Sequence, residues 1–225
     1  MPRLARIVVP GLSHHITQRG NNKQDVFFVD DDKWRYLRIL KEQSIEYGFS
    51  VLGYCLMSNH VHIVGVPGKE ESLAKTIGRT NFLYTQYVNR MHGRSGHLWQ
   101  NRFYSCAMDE NYFWTSLRYV EQNPVQAKMV RVPWTYPFSS ALMHIGGPDK
   151  TGLIDIGHWQ KLSRGLDWKE ILRQRIDKEI NVDFQARYRR GRPLGSDKFI
   201  SKLEVTLGRR LRPLPGGRPK KKERK

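Results

Sequence analysis

Two short patterns in this chain combine residue types and spacings that suit phosphate chemistry. In Ser58-Asn59-His60-Val61-His62-Ile63-Val64 two histidines stand two apart. Ile63, Val64 and Val66 favour a pleated surface, so the stretch reads as a β-strand, and residues two apart on a strand share a face. His60 and His62 then project side by side while Val61 turns into a core. Two converging imidazoles are half of a metal site, although a bare His-x-His also suits the exposed face of a strand. The second pattern is Tyr119 and Asn123 in the stretch 111–123, four apart and so on one face of a helix. Set against the histidines, they complete a chemical kit. The imidazoles and the amide oxygen hold a divalent cation, the cation grips a phosphate, and the phenol oxygen attacks phosphorus. A tyrosine with pKa near 10 is only about 0.1% phenolate at pH 7, a deficit of roughly 4 kcal/mol. A cation on the scissile phosphate offsets that by several kcal/mol. The product, a phosphotyrosine ester, stores the broken bond for rejoining without ATP. Two plainer readings compete: Tyr119 as a core or rim aromatic, and Asn123, placed before Pro124, as the N-cap of a following short helix.

Such a site needs a rigid frame, and the order of elements supplies one. Residues 13–19 alternate as a first strand that ends at Gly20-Asn21-Asn22. Residues 31–47 form a helix, with Asp30 or Asp31 as cap, Trp34, Leu37, Leu40 and Tyr47 as stripe, and Gly48 as stop. Strands at 49–57 and 60–66 are joined by a tight turn at Ser58-Asn59. A second helix spans 72–91, a strand follows at 97–107, and a third helix begins near Asp109. This order matches a ferredoxin-like, split βαβ arrangement of class α+β, an antiparallel sheet with helices on one face. Cys55 and Cys106 read as core positions; two cysteines are too few for a disulfide framework or a Cys-based zinc site, which implies a reducing, cytoplasmic setting.

The chain has 225 residues and a formal net charge of +18, an excess that favours a polyanionic partner, nucleic acid before anionic membrane. No run of about 18 apolar residues occurs, so no membrane span is expected, and the N-terminus is too poor in apolar residues for a secretory signal. Hydrophobic content of 39% is adequate for a globular fold but low enough to imply a solvated segment. After about residue 145 the composition shifts. A helix at 167–180 carries Trp168, Ile171, Leu172 and Ile176, and a shorter one is capped by Ser196. The last 17 residues hold nine Lys/Arg against one Glu and read as a disordered basic arm.

Several spaced stretches, HHITQRGNN, CLMSNHVHIV, GHLWQNRFYS and RYVEQNPVQA, resemble the REP-associated tyrosine transposases, bacterial relatives of the IS200-like, single-tyrosine HUH transposases. The resemblance covers about residues 3–145, and GRPLGSDKF (191–199) extends it. It implies a nuclease domain at 1–145, a helical DNA-binding extension at 146–208 and the tail at 209–225. By the same resemblance Tyr119 is the nucleophile, His60, His62 and Asn123 are the metal ligands, and the cofactor is Mg2+ or Mn2+. The implied reaction cleaves single-stranded or hairpin DNA through a 5′-phosphotyrosine bond and leaves a free 3′-hydroxyl. No small-molecule cofactor is implied, the expected location is the bacterial cytoplasm at the nucleoid, and monomer and homodimer both remain open.

Candidate DNA contacts are Arg19, Asn21, Lys23, Arg79, Arg90, Arg94, Trp99, Gln100, Arg102, Arg190, Arg192, Arg218, Lys220 and Lys221. Trp99, Gln100 and Arg102 interleave planar and basic groups as single-strand binders do, although Trp99 and Phe103 also suit a buried strand. Arg190-Gly191-Arg192-Pro193 has the form of a minor-groove hook. His14 and His15, on the first strand, are further candidates to touch metal or DNA. Two other classes fit the same composition: a hairpin-binding protein or repressor that does not cut, and a ferredoxin-like RNA-binding module.

Overall fold

The first strand sets the frame by presenting successive residues to opposite faces. In β1 (His14–Arg19), Ile16 points to one face and His15 and Thr17 to the other. The computed structural model describes residues 6–174 and 191–212. In it β1 lies between β3 (His60–Pro67) and β4 (Tyr104–Ala107), and β2 (Phe49–Leu56) flanks β3 in the order β2-β3-β1-β4. All three pairings are antiparallel. This is the ferredoxin-like sheet expected from the order of elements.

Ile16, Val61 and Ile63 are fully buried on one face, which α1 (Asp30–Tyr47) and α2 (Ser72–Met91) cover. Burying each such side chain contributes about 1.5–3 kcal/mol. α1 stops where Gly48 takes φ 64, as its C-terminal glycine implies. Its start differs from expectation. Val29 holds the N-cap position, and Asp32, not Asp30 or Asp31, accepts from the backbone N–H groups of Phe28 and Val29. α3 (Glu110–Gln126) lies against the opposite face, capped by Asp109, whose carboxylate accepts from Tyr112 N–H. Pro124 sits inside its last turn, so Asn123 stays helical and does not cap a new helix.

The expected strand at 97–107 shortens to Tyr104–Ala107. Gly96 (φ 82) and Asn101 (φ 57) adopt left-handed backbone, which breaks the pleat. Trp99 keeps only an isolated bridge to Gly20.

Beyond residue 140 come α4 (Ala141–His144), α5 (Ile156–Leu162), α6 (Trp168–Arg173) and α7 (Asp197–Leu207). Trp159, Trp168, Leu172 and Leu194 share the main core with the sheet. Ile154 bridges to Val51 beside β2, and Leu194 bonds to Ala107 and Asp109 beside β4. Ser196 caps α7 as expected, accepting from Phe199 N–H. Leu203 and Leu211 bury with Ile7 in a second small cluster. Residues 209–212, expected at the start of the solvated arm, therefore pack instead, with Arg212 paired to Glu204. The helix expected at 167–180 stops at Arg173, where Gln174 turns to extended backbone; residues 175–180 and the remainder of the arm lie outside the described residues. Among the described residues, no helix is long and apolar enough to cross a membrane.

His14 is structural. Its Nδ1 meets Leu12 O at 2.8 Å, and its Nε2 accepts from Val9 N–H at 3.4 Å. Burial pushes its pKa from 6.5 down to about 4. Between those values the unfolded chain holds a proton that the fold does not, so stability falls as pH drops from 6.5 toward 4, by about 3 kcal/mol from this residue. Urea midpoints measured from pH 7.5 to pH 4.5 check this: His14→Gln should flatten the pH dependence, and an unchanged slope would contradict it.

Candidate active site

The two histidines of β3 are held from both sides of a central strand. His62 pairs with Thr17 on β1 and with Cys55 on β2, and His60 pairs with Arg19. The turn before them is pinned by the chain that follows β1. Gly20 N–H donates to Asn59 O, Asn59 Nδ2 donates to Lys23 O, and the N–H groups of Val26 and Phe27 both reach Ser58 O. The His60 and His62 rings stand 5.0 Å apart, nearly perpendicular. Each has a partner at Nδ1, His60 with Asn59 Oδ1 at 2.6 Å and His62 with His15 Nε2 at 2.9 Å. Asn59 Oδ1 only accepts, so His60 carries its proton on Nδ1 and its basic nitrogen is Nε2.

α3 brings Tyr119 to the same face. Its ring lies 5.5 Å from that of His62, edge-on at 89°, and 6.3 Å from that of His15. All of these residues belong to one chain. One turn on, Asn123 donates through Nδ2 to Tyr119 O at 2.9 Å, which fixes the direction of its carboxamide. Tyr119 is 5% exposed, His62 1% and Asn123 9%; His60 is the more open member. The site is therefore a nearly dry recess in which charge interactions are stronger than in water.

Two devices fix where α3 sits. At Gly53 a Cβ would collide with Leu117, so glycine is what lets the helix approach β2 so closely. Below the helix, Glu121 is fully buried and accepts three hydrogen bonds, from Ser140 Oγ (2.5 Å), His144 Nδ1 (2.5 Å) and Trp168 Nε1 (2.8 Å). Beside it Gln122 Nε2 donates to Leu172 O and Gln174 O, and Arg118 also donates to Gln174 O. Sequence reasoning missed Asn59, Gly53 and Glu121 as parts of this site, and held His15 only as a candidate to touch metal or DNA. The signal for His15 lay in strand alternation, which puts it on the same face as Thr17, the neighbour of His62.

The structure gathers some of the candidate DNA contacts and separates others. Arg19 stands opposite His60, and Asn21 and Lys23 occupy the turn just beyond it. Gln100 and Arg102 are exposed on the loop that leads from Trp99 into β4. Trp99 is largely a packing residue: its Nε1 donates to Asn81 O and its ring lies against Tyr36 and Tyr84. Phe103 is buried beneath the Arg6 guanidinium. Arg94 bonds to Gln24 Oε1 and lies over Phe28, whereas Arg79 and Arg90 are exposed on α2, across the sheet from Tyr119. Arg192 donates to Leu211 O. Arg190, Arg218, Lys220 and Lys221 lie outside the described residues.

Among the described residues no three His, Cys, Asp or Glu side chains form a group that could hold a metal ion. A cation here would rest on two imidazoles and an amide oxygen.

Residues 8–123 match the family model described as "Transposase IS200 like". No curated protein matches the chain. Among solved structures, that of a REP-associated tyrosine transposase bound to a REP hairpin superposes with a TM-score of 0.51 at 16% identity, covering 69% of this chain and 90% of that one. A transposase candidate from Deinococcus radiodurans R1 aligns over 57% of this chain and 95% of its own, at 16% identity and a TM-score of 0.38. At 16% identity the likeness to the first of these is one of fold.

Proposed function

The chain belongs to the IS200-like transposases, and on that premise we propose that it nicks and rejoins single-stranded DNA at a hairpin, with Tyr119 as nucleophile and His60, His62 and Asn123 as ligands of a divalent cation. The observation that carries this reading is the apposition of the Tyr119 and His62 rings at 5.5 Å within one chain. The donor set fits the cation. With Nδ1 engaged on both histidines, Nε2 is the nitrogen that would bind, and the Asn123 amide nitrogen is bonded backward, which leaves its oxygen as the donor. Two imidazoles alone suit zinc, but an amide oxygen with phosphate and water oxygens favours the harder Mg2+ or Mn2+. Such an ion, when bound, supplies positive charge to the phosphate oxygens as negative charge builds there.

The chain's own residues do the rest. α3 holds the Tyr119 oxygen in a recess that excludes most water. That oxygen bonds to phosphorus as the bond to the 3′ oxygen breaks; the phenol gives up a proton and the departing oxygen takes one up. The 5′ phosphate is left on Tyr119, and the reverse step rejoins the strand. Arg19, opposite His60, offers a planar guanidinium to the flanking phosphate.

The test is incubation of the full chain with labelled single-stranded hairpin oligonucleotides and Mn2+. A covalent adduct that survives a denaturing gel and disappears on chelation is expected. Binding without an adduct across many hairpins would favour a non-cutting hairpin binder or repressor, and a preference for folded RNA would favour an RNA-binding module. Residues 213–225 carry six Lys/Arg against one Glu. Their removal should weaken hairpin binding most at low salt and flatten the dependence of log affinity on log salt, because fewer counterions are released. An unchanged slope would exclude them from the interface.

A further inference from the structure

We propose that His15 is a positioning residue of this site: its imidazole holds the His62 ring by Nδ1, so that His62 presents Nε2 to the cation. The inference rests on the metal-site reading above. His15 lies on β1, on the same face as His62 and diagonal to it, since His62 pairs with Thr17. The bond between His15 Nε2 and His62 Nδ1 is 2.9 Å long, the two rings are within 9° of parallel, and His15 is 1% exposed. The Tyr119 ring meets both edge-on, so the same pair also forms the floor beneath the phenol.

Metal-bound histidines usually give their second N–H to a carboxylate, a backbone carbonyl or water, which fixes the tautomer and the ring direction. Here the partner at Nδ1 is Asn59 for His60 and His15 for His62.

The experiment compares the full-length wild type with His15→Leu and His15→Gln, without DNA. Mn2+ affinity is read by electron paramagnetic resonance, the His62 tautomer in metal-free protein by long-range nitrogen–proton NMR, and folding by thermal unfolding. The wild type is expected to carry its His62 proton on Nδ1. His15→Leu is expected to lose roughly 10–100-fold in Mn2+ affinity and to give mixed His62 tautomers. His15→Gln keeps an acceptor oxygen and should restore most of the affinity. Equal Mn2+ affinity in wild type and His15→Leu overturns the proposal alone, as does a wild-type His62 protonated on Nε2. Absence of Mn2+ uptake by the wild type overturns the metal-site reading and this proposal together. If His15→Leu does not fold, the wild-type tautomer and the Gln variant decide.

Discussion

Tyr119→Phe is expected to abolish the covalent protein–DNA adduct while leaving hairpin affinity and thermal unfolding almost unchanged. The substitution removes one oxygen and keeps the ring that stands edge-on to His62. The cost to the fold is at most that of one hydrogen bond, about 0.5–1.5 kcal/mol. On the proposed mechanism the cost to the chemistry is total, because the lost atom is the one that would bond to phosphorus, and the two imidazoles would be held as ligands. Mass spectrometry of the protein after incubation with hairpin oligonucleotide and Mn2+ separates the outcomes. A shift by the mass of the downstream fragment, joined through its 5′ phosphate, in the wild type and none in Tyr119→Phe is expected. An adduct that persists in the variant assigns the chemistry to another side chain.

Glu121→Ala should produce the largest loss of stability. It leaves Ser140 Oγ, His144 Nδ1 and Trp168 Nε1 without their shared acceptor in a fully buried position. Each buried donor left unsatisfied costs about 1–3 kcal/mol, roughly 3–5 kcal/mol for the cluster in all. For a chain of this size the upper figure corresponds to a fall in melting temperature of roughly 10 °C or more. Because Glu121 lies two residues from both Tyr119 and Asn123, the same loss should loosen α3. Where the variant still folds at low temperature, adduct formation should drop with it. A melting temperature within a degree or two of the wild type would show that this network does not hold the helix.

These two substitutions also mark what the sequence made legible. The split βαβ order followed from alternation in β1, the β-branched residues of β3 and the tight turn before it, the helical stripe of α1 and the Gly48 stop, because each is a local pattern. His60 with His62, and Tyr119 with Asn123, were readable as two pairs because spacing places each pair on one face. What holds them was not. Glu121 meets Ser140, His144 and Trp168 across 19 to 47 residues, and His15 meets His62 across 47. Such contacts depend on packing between distant segments, which no local period encodes. The strand expected through Trp99 failed for a local reason, the left-handed backbone at Gly96 and Asn101. Trp168 and Leu172 were placed on a helical stripe correctly, yet the stripe faces the same core as the sheet.

The most direct test is diffraction from crystals of the full chain soaked in Mn2+, recorded at a wavelength where manganese scatters anomalously. A single strong peak within ligand distance of His60 Nε2, His62 Nε2 and Asn123 Oδ1, facing the Tyr119 hydroxyl, is the expected result. A peak elsewhere, or none beside those imidazoles at saturating Mn2+, would contradict it.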